Sequence, residues 1–187
     1  MTLTLLPPVR RILTGVNAPG RSYIAEDGVS PAMLTMAARD GYRNNNLWRT
    51  LGAEAPVDAA DTAMEHSGVL PPPGGTVIRV IDIPPESADP EERRRQTDAV
   101  FKAMFADADH HEGHARHPGM HTTDTIDYAI LLEGELVAIM DEDETVMRAG
   151  DILIQRGTSH AWANRSGEIA RICFVLTAAT AAQKTPG

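Results

Sequence analysis

The side chains able to do chemistry crowd into one stretch, from Arg116 to Arg165, and three of them stand out: His121, Asp127 and His160. Two imidazoles and a carboxylate suit a divalent transition metal. Asp127 carries a further argument, because an ionised carboxylate set among Ile126, Ala129, Ile130 and Leu131 is costly unless it is paired or metal-bound. A His–Asp hydrogen bond without metal would satisfy it equally. Thr123 and Trp162 accompany the trio as pocket candidates. His117 is a third, able to complete a site where Thr123 offers no imidazole.

For these groups to meet, the chain around them must be extended. Short apolar runs cut by Gly or Asp read as strands: Ile126 to Leu132, Glu135 to Met140, Glu144 to Arg148, Ile152 to Gln155 and His160 to Asn164. Successive side chains on a strand point to opposite faces. His121, Thr123 and Asp127 therefore share a face with Ala129 and Leu131, and His160 shares one with Trp162 and Asn164. Inside a rolled sheet the two sets would look into one hollow.

These residues resemble the cupins, over roughly the last eighty residues. Gly113, His121, Asp127 and Gly134 fall into the family's first motif, and Gly150, Asp151, Gly157, His160 and Asn164 into its second. Three departures stand against the pattern. Thr123 occupies the place of a second His, Asp127 that of a Glu, and Gln155 that of a Pro, with the second motif one residue short. The shorter acid would have to sit about 1.5 Å closer to reach the same ion, the length of one carbon–carbon bond.

The resemblance implies an all-β fold, a double-stranded β-helix or jelly-roll barrel with an N-terminal strand extension and one inserted helix. It implies a metal site at His121, Asp127 and His160 for Fe, Mn, Ni or Zn, a small-molecule substrate or ligand, and a homodimer. It also points to cupins encoded in secondary-metabolite pathways. The activity so implied is that of an oxygenase, lyase, cyclase or isomerase on a carbonyl, enol or phenolic compound. A non-catalytic ligand-binding barrel, with or without a metal, is the alternative, and a structural role for a metal-free His–Asp staple is a third.

At 187 residues the chain suits one domain, and its net charge of −9 argues against nucleic acid or an anionic membrane surface. No apolar run approaches a membrane span, the start lacks the pattern of a signal peptide, and the expected address is cytoplasmic. The single cysteine, Cys173, lies in an apolar run and reads as a buried, inert thiol.

Three regions are expected: N-terminal strands and loop over 1–75, a barrel over 76–178, and a frayed tail over 179–187. Val9 to Leu13 and Ser22 to Ala25 suggest a hairpin, and Pro31 to Ala37 a further strand. Thr76 to Ile83 is a strand stopped by two prolines. A helix over 90–108 begins at Asp89-Pro90 with acidic residues in its first turn. It packs on one sheet or covers the barrel mouth. Five of the seven histidines lie within 110–121; His110, His111 and His114 read as exposed loop residues, and His66 as solvent-facing.

Overall fold

The computed structural model describes residues 3–181. The expected tail lies, from residue 182 onward, outside the described residues. Strands dominate. A hairpin of β1 (Arg10–Val16) and β2 (Ser22–Val29) turns over Asn17 to Gly20, where the Asn17 carbonyl accepts from the Gly20 N–H at 2.8 Å. β3 (Met33–Thr35), β4 (Arg43–Arg49) and β5 (Thr76–Ile83) follow, then α1 (Pro90–Met104). The remaining strands are β6 (Asp109–His110), β7 (His121–Thr122), β8 (Thr125–Glu133), β9 (Glu135–Met140), β10 (Glu144–Arg148), β11 (Ile152–Arg156), β12 (His160–Ala163) and β13 (Ala170–Ala178).

Two larger sheets face each other. One has the order β10-β9-β12-β7-β6; the other runs β11-β8-β13-β5-β4-β3. β3 and β4 thus extend the same sheet as β8 and β13, through antiparallel pairing of β4 with β5. The alternation rule holds on β8, where Thr125, Asp127, Ala129 and Leu131 are buried and Ile126, Tyr128 and Leu132 are exposed. On β5 it sends Val77, Arg79, Ile81 and Ile83 one way, and Ile78, Val80 and Asp82 the other. The core between the sheets is built from Val77, Ile81, Ala129, Leu131, Leu136, Ile172, Phe174 and Leu176 together with residues of α1.

Two glycines shape turns between strands of the barrel. Gly157, at φ +61°, lies between β11 and β12, and a Cβ there would meet the Thr123 carbonyl oxygen at 3.1 Å. Gly134, at φ +79°, sits between β8 and β9 with the Ala170 Cα 3.0 Å from where its Cβ would be. Only glycine adopts such a conformation without strain.

The helix is shorter than its apolar pattern suggests. Asp89 caps it, its side chain accepting from the Glu91 N–H at 3.0 Å, and Pro90 opens the first turn. It stops at Met104; Phe105 leaves helical geometry so that its ring packs edge-on against Phe101, with centroids 6.1 Å apart. Thr97, Val100, Phe101 and Met104 are its buried face. Among the described residues no helix is long and apolar enough to cross a membrane.

Candidate functional site

The strand pair β7–β12 places His121 directly opposite His160, with ring centroids 4.2 Å apart and planes inclined at 45°. Each ring is fixed by a carbonyl two residues earlier in the chain: His121 Nδ1 lies 3.0 Å from Gly119 O, and His160 Nδ1 lies 2.9 Å from Thr158 O. A carbonyl only accepts, so each Nδ1 carries the proton and each Nε2 is left with its lone pair. Burial pushes His121 down to about 4. Burial, and then the neighbouring His121, push His160 down to about 3. Both rings are neutral at neutral pH, two acceptors side by side.

They line a cavity of about 100 Å³ between the sheets. One part of its wall is aromatic. Trp162 stands edge-on to His160 at 5.7 Å and to Phe174 at 5.2 Å, and Phe101 of α1 stands edge-on to His121 at 5.0 Å. Thr123, His117 and Trp162, the pocket candidates read from the sequence, all reach this wall. So does α1, through Thr97, Val100 and Phe101; the helix covers the cavity as well as packing on the barrel.

Asp127 enters the same cavity from β8, on the opposite sheet. Its Oδ1 is buried without a hydrogen-bond partner. Burial raises its carboxyl to about 6, with the Thr125 hydroxyl and the Arg79 charge pulling the other way. The expected His121/Asp127/His160 cage is therefore brought together only in part: the imidazoles pair, and the acid stands apart with Thr125. Among the described residues no three His, Cys, Asp or Glu side chains gather closely enough to hold an ion. The two imidazoles by themselves fall short of the ligand set that the cupin pattern implies.

Thr123 supplies no donor to the histidine pair; its hydroxyl bonds that of Thr125 at 2.8 Å. His117 is occupied too. Its Nδ1 accepts from the Gly119 N–H at 3.0 Å, so its Nε2–H donates to Glu86 Oε1 at 2.7 Å, in a buried pair. Asn164 is structural, as its type suggests. Its amide nitrogen donates to Ile83 O and Glu168 O at 2.7 and 2.8 Å, and its oxygen accepts from Ser166.

Several histidines differ from their sequence reading. His66 is buried rather than solvent-facing, and its Nε2 accepts from Arg79 Nη2 at 2.9 Å. Burial first, then Arg79, push it down to about 4. His110, His111 and His114 are half-buried rather than exposed. His110 stacks on Phe101 at 4.0 Å, and His111 bonds Thr122 across β7 at 2.8 Å. Their spacing carried no hint of this, because the contacts come from β6 pairing with β7.

Arg79, Glu86, Arg39 and Tyr42 also line the cavity and were not singled out from sequence. Arg79 could have been found, since it alternates with Val77, Ile81 and Ile83 on a strand whose inward face is otherwise apolar. Glu86, beyond the Pro84-Pro85 stop, had no such signal.

Residues 109–176 match the Cupin_2 family, described as Cupin domain. With the two facing sheets and the histidine pair between them, this makes residues 109–176 a cupin domain, within an all-β fold. It is 30% identical over 95 residues to Phomopsin biosynthesis cluster protein C' of Diaporthe leptostromiformis, covering 50% of this chain and 35% of that protein. It is 27% identical over 168 residues to the cupin-domain-containing oxidoreductase srdD of Neurospora crassa, covering 87% and 69%. Among solved structures, a Cupin 2 conserved barrel domain protein from Salinispora arenicola aligns with TM-score 0.41 at 12% identity, over 76% of this chain and 81% of that one. The chain thus spans about a third of the length of the phomopsin cluster protein it matches.

Proposed function

We propose that the cavity is the small-molecule site of a cupin-type enzyme, in which His121 and His160 hold a hydroxyl of an enol or phenolic compound and Asp127 moves a proton. The observation that carries this is the mismatch of wall and polar atoms. A mostly apolar cavity with an aromatic stretch of wall contains two imidazole Nε2 lone pairs and a buried carboxylate oxygen without a partner, and an unpartnered buried polar atom calls for a ligand to complete it. Imidazoles this hard to protonate are weak bases but sound acceptors. A group titrating near the working pH is the better proton carrier, and Asp127 is closer to that range.

The test is a panel of small phenols and enolisable ketones, scored by ligand-induced rise in melting temperature and by solvent deuterium incorporation followed by NMR. Asp127→Asn should keep the thermal shift and lose the exchange. A wild-type protein that no member of the panel protects would overturn the reading.

A metal-dependent reading has one observation in its favour. Both histidines are locked in the tautomer that leaves Nε2 free, the state required of an imidazole ligand. His121 and His160 would hold Fe, Mn, Ni or Zn, with a further donor from outside the pair, and such an ion supplies Lewis-acid or redox chemistry when bound. The oxidoreductase name of the Neurospora crassa relative agrees with that reading.

The chain is also proposed to act as a homodimer, through the outward face of β8 and the edge strand β11, where Tyr128, Ile152 and Ile154 are exposed neighbours. Light scattering coupled to size exclusion should give twice the chain mass for the wild type and a smaller species for Ile154→Glu. A wild-type monomer would remove the proposal.

A further inference from the structure

Among the described residues three arginines are buried, and one of them has no carboxylate within ion-pair distance. Arg11 pairs with Glu26 at 2.6 Å and Asp61 at 2.7 Å, and Arg43 pairs with Asp82 at 2.5 Å. Arg79 is the most deeply buried of the three, at 1% exposure, yet no carboxylate lies within ion-pair distance of it among the described residues. The nearby Asp107 is already engaged, accepting from the Val69 and Leu70 N–H groups at 2.7 and 2.9 Å.

Only one nitrogen of the Arg79 guanidinium is used. Nη2 contacts His66 Nε2 at 2.9 Å, Val69 O at 3.1 Å and Gly68 O at 3.2 Å, which fixes the side chain. Nε and Nη1 are buried with no partner, and Arg79 is part of the cavity wall. Burial lowers its pKa to about 10, so it remains a cation at neutral pH. A held, desolvated cation with unpartnered N–H groups, in the wall of a mostly apolar cavity, is a receptor for an anion.

We propose that Arg79 is an anion subsite at one end of the cavity, taking the carboxylate of a small aromatic acid whose ring lies against the aromatic wall. This rests on the reading of the cavity as a small-molecule site. The charge of the ligand is limited by its surroundings. Arg39, Asp127 and Glu86 line the same space, and Glu86 lies in the field of Arg39, so Arg79 supplies the charge for one carboxylate. The body of the ligand is set by Phe105, whose ring sits 5.6 Å from the Arg79 guanidinium carbon, and by Phe101, Trp162 and Phe174 beyond it.

The experiment compares 3-phenylpropionate with 3-phenylpropanamide, two probes of one shape and different charge, by isothermal titration calorimetry. Trp162 fluorescence provides a second readout. In the wild type the acid should bind about tenfold tighter or more, the preference expected of a charge-assisted hydrogen bond. Arg79→Lys should retain part of that preference and Arg79→Gln should abolish it while leaving amide binding in place, in protein verified as folded by circular dichroism. The wild-type comparison stands even if the glutamine variant fails to fold. Equal binding of acid and amide by the wild type overturns the anion subsite and leaves the cavity reading intact. An acid preference that survives in folded Arg79→Gln overturns it as well. Binding of neither probe overturns the subsite together with the reading beneath it.

Discussion

Asp82 is the residue whose loss should be felt most sharply in stability without touching the cavity. It lies on the outward face of β5, fully buried, and is gripped from both neighbouring strands. Arg43 of β4 donates through Nε at 2.8 Å, and Arg171 of β13 through Nε at 2.6 Å and Nη2 at 3.0 Å. The same two guanidiniums reach on to the backbone of the N-terminal segment, Arg43 to Leu6 O at 2.7 Å and Arg171 to Pro7 O at 2.6 Å. Asp82→Asn removes the only negative charge in this cluster and leaves two largely buried cations facing each other.

Breaking one side of a buried ion pair costs about 3–5 kcal/mol, because the abandoned charge stays desolvated. Two abandoned guanidiniums place the cost at the upper end of that range, against a total stability of about 5–15 kcal/mol for a typical domain. Urea unfolding followed by far-UV circular dichroism measures it. Hydrogen exchange should show the segment before β1 opening first. Arg79, Ile81 and Ile83 point the opposite way on β5, so a cavity ligand should bind the folded variant with unchanged affinity. A loss below about 1 kcal/mol, the scale of an exposed pair, would refute the claim that this clamp is desolvated.

Two further predictions concern protons and ions. His66, His121 and His160 are all held below the ordinary imidazole range, so the unfolded chain binds protons that the folded chain refuses, and stability should fall as pH drops from about 6.5 toward 4. For His160 alone this amounts to roughly 2 kcal/mol by pH 5. Asp127 works in the opposite sense, its folded carboxyl raised to about 6, and recovers only part of the loss. Urea midpoints at pH 7 and pH 5 check the sign, and equal or greater stability at pH 5 would refute it. Elemental analysis of protein purified without chelators tests the ion. On the metal-dependent reading about one equivalent copurifies and falls tenfold or more in His121→Ala and His160→Ala, while Asp127→Ala keeps its metal. Equal content in the wild type and the two histidine variants would end that reading.

Much of the barrel was legible because strand alternation is a local property. Thr76–Ile83, Glu135–Met140 and Glu144–Arg148 are strands with the bounds their composition suggests, and the parity of Asp127 with Ala129 and Leu131 holds. What alternation cannot supply is which strands become neighbours. That His121 meets His160 follows from β12 pairing with β7, and that Asp127 is held apart follows from β8 joining the other sheet. The same gap hid His66, whose burial depends on Arg79 reaching it from β5, and shortened α1, whose last apolar residue serves the cavity instead of the helix.

The departures from the cupin pattern become coherent once these neighbours are known. At the position of a second histidine stands Thr123, and its hydroxyl is bonded to Thr125, whose own hydroxyl steadies Asp127. A line of small polar groups on successive inward positions thus replaces a second imidazole and a longer acid. The replacement has a direction. The shorter side chain keeps the carboxylate near its own strand, bonded by Thr125 and within the field of Arg79. The cavity thus has an acceptor pair at His121 and His160 on one sheet and a charged pair at Arg79 and Asp127 on the other. Restoring the longer ligands, by Thr123→His with Asp127→Glu, should collapse that division: the double variant should gain copurifying metal and lose its preference for an aromatic acid over the amide. If it gains metal and keeps the preference unchanged, the two pairs do not share the acid and the division is wrong.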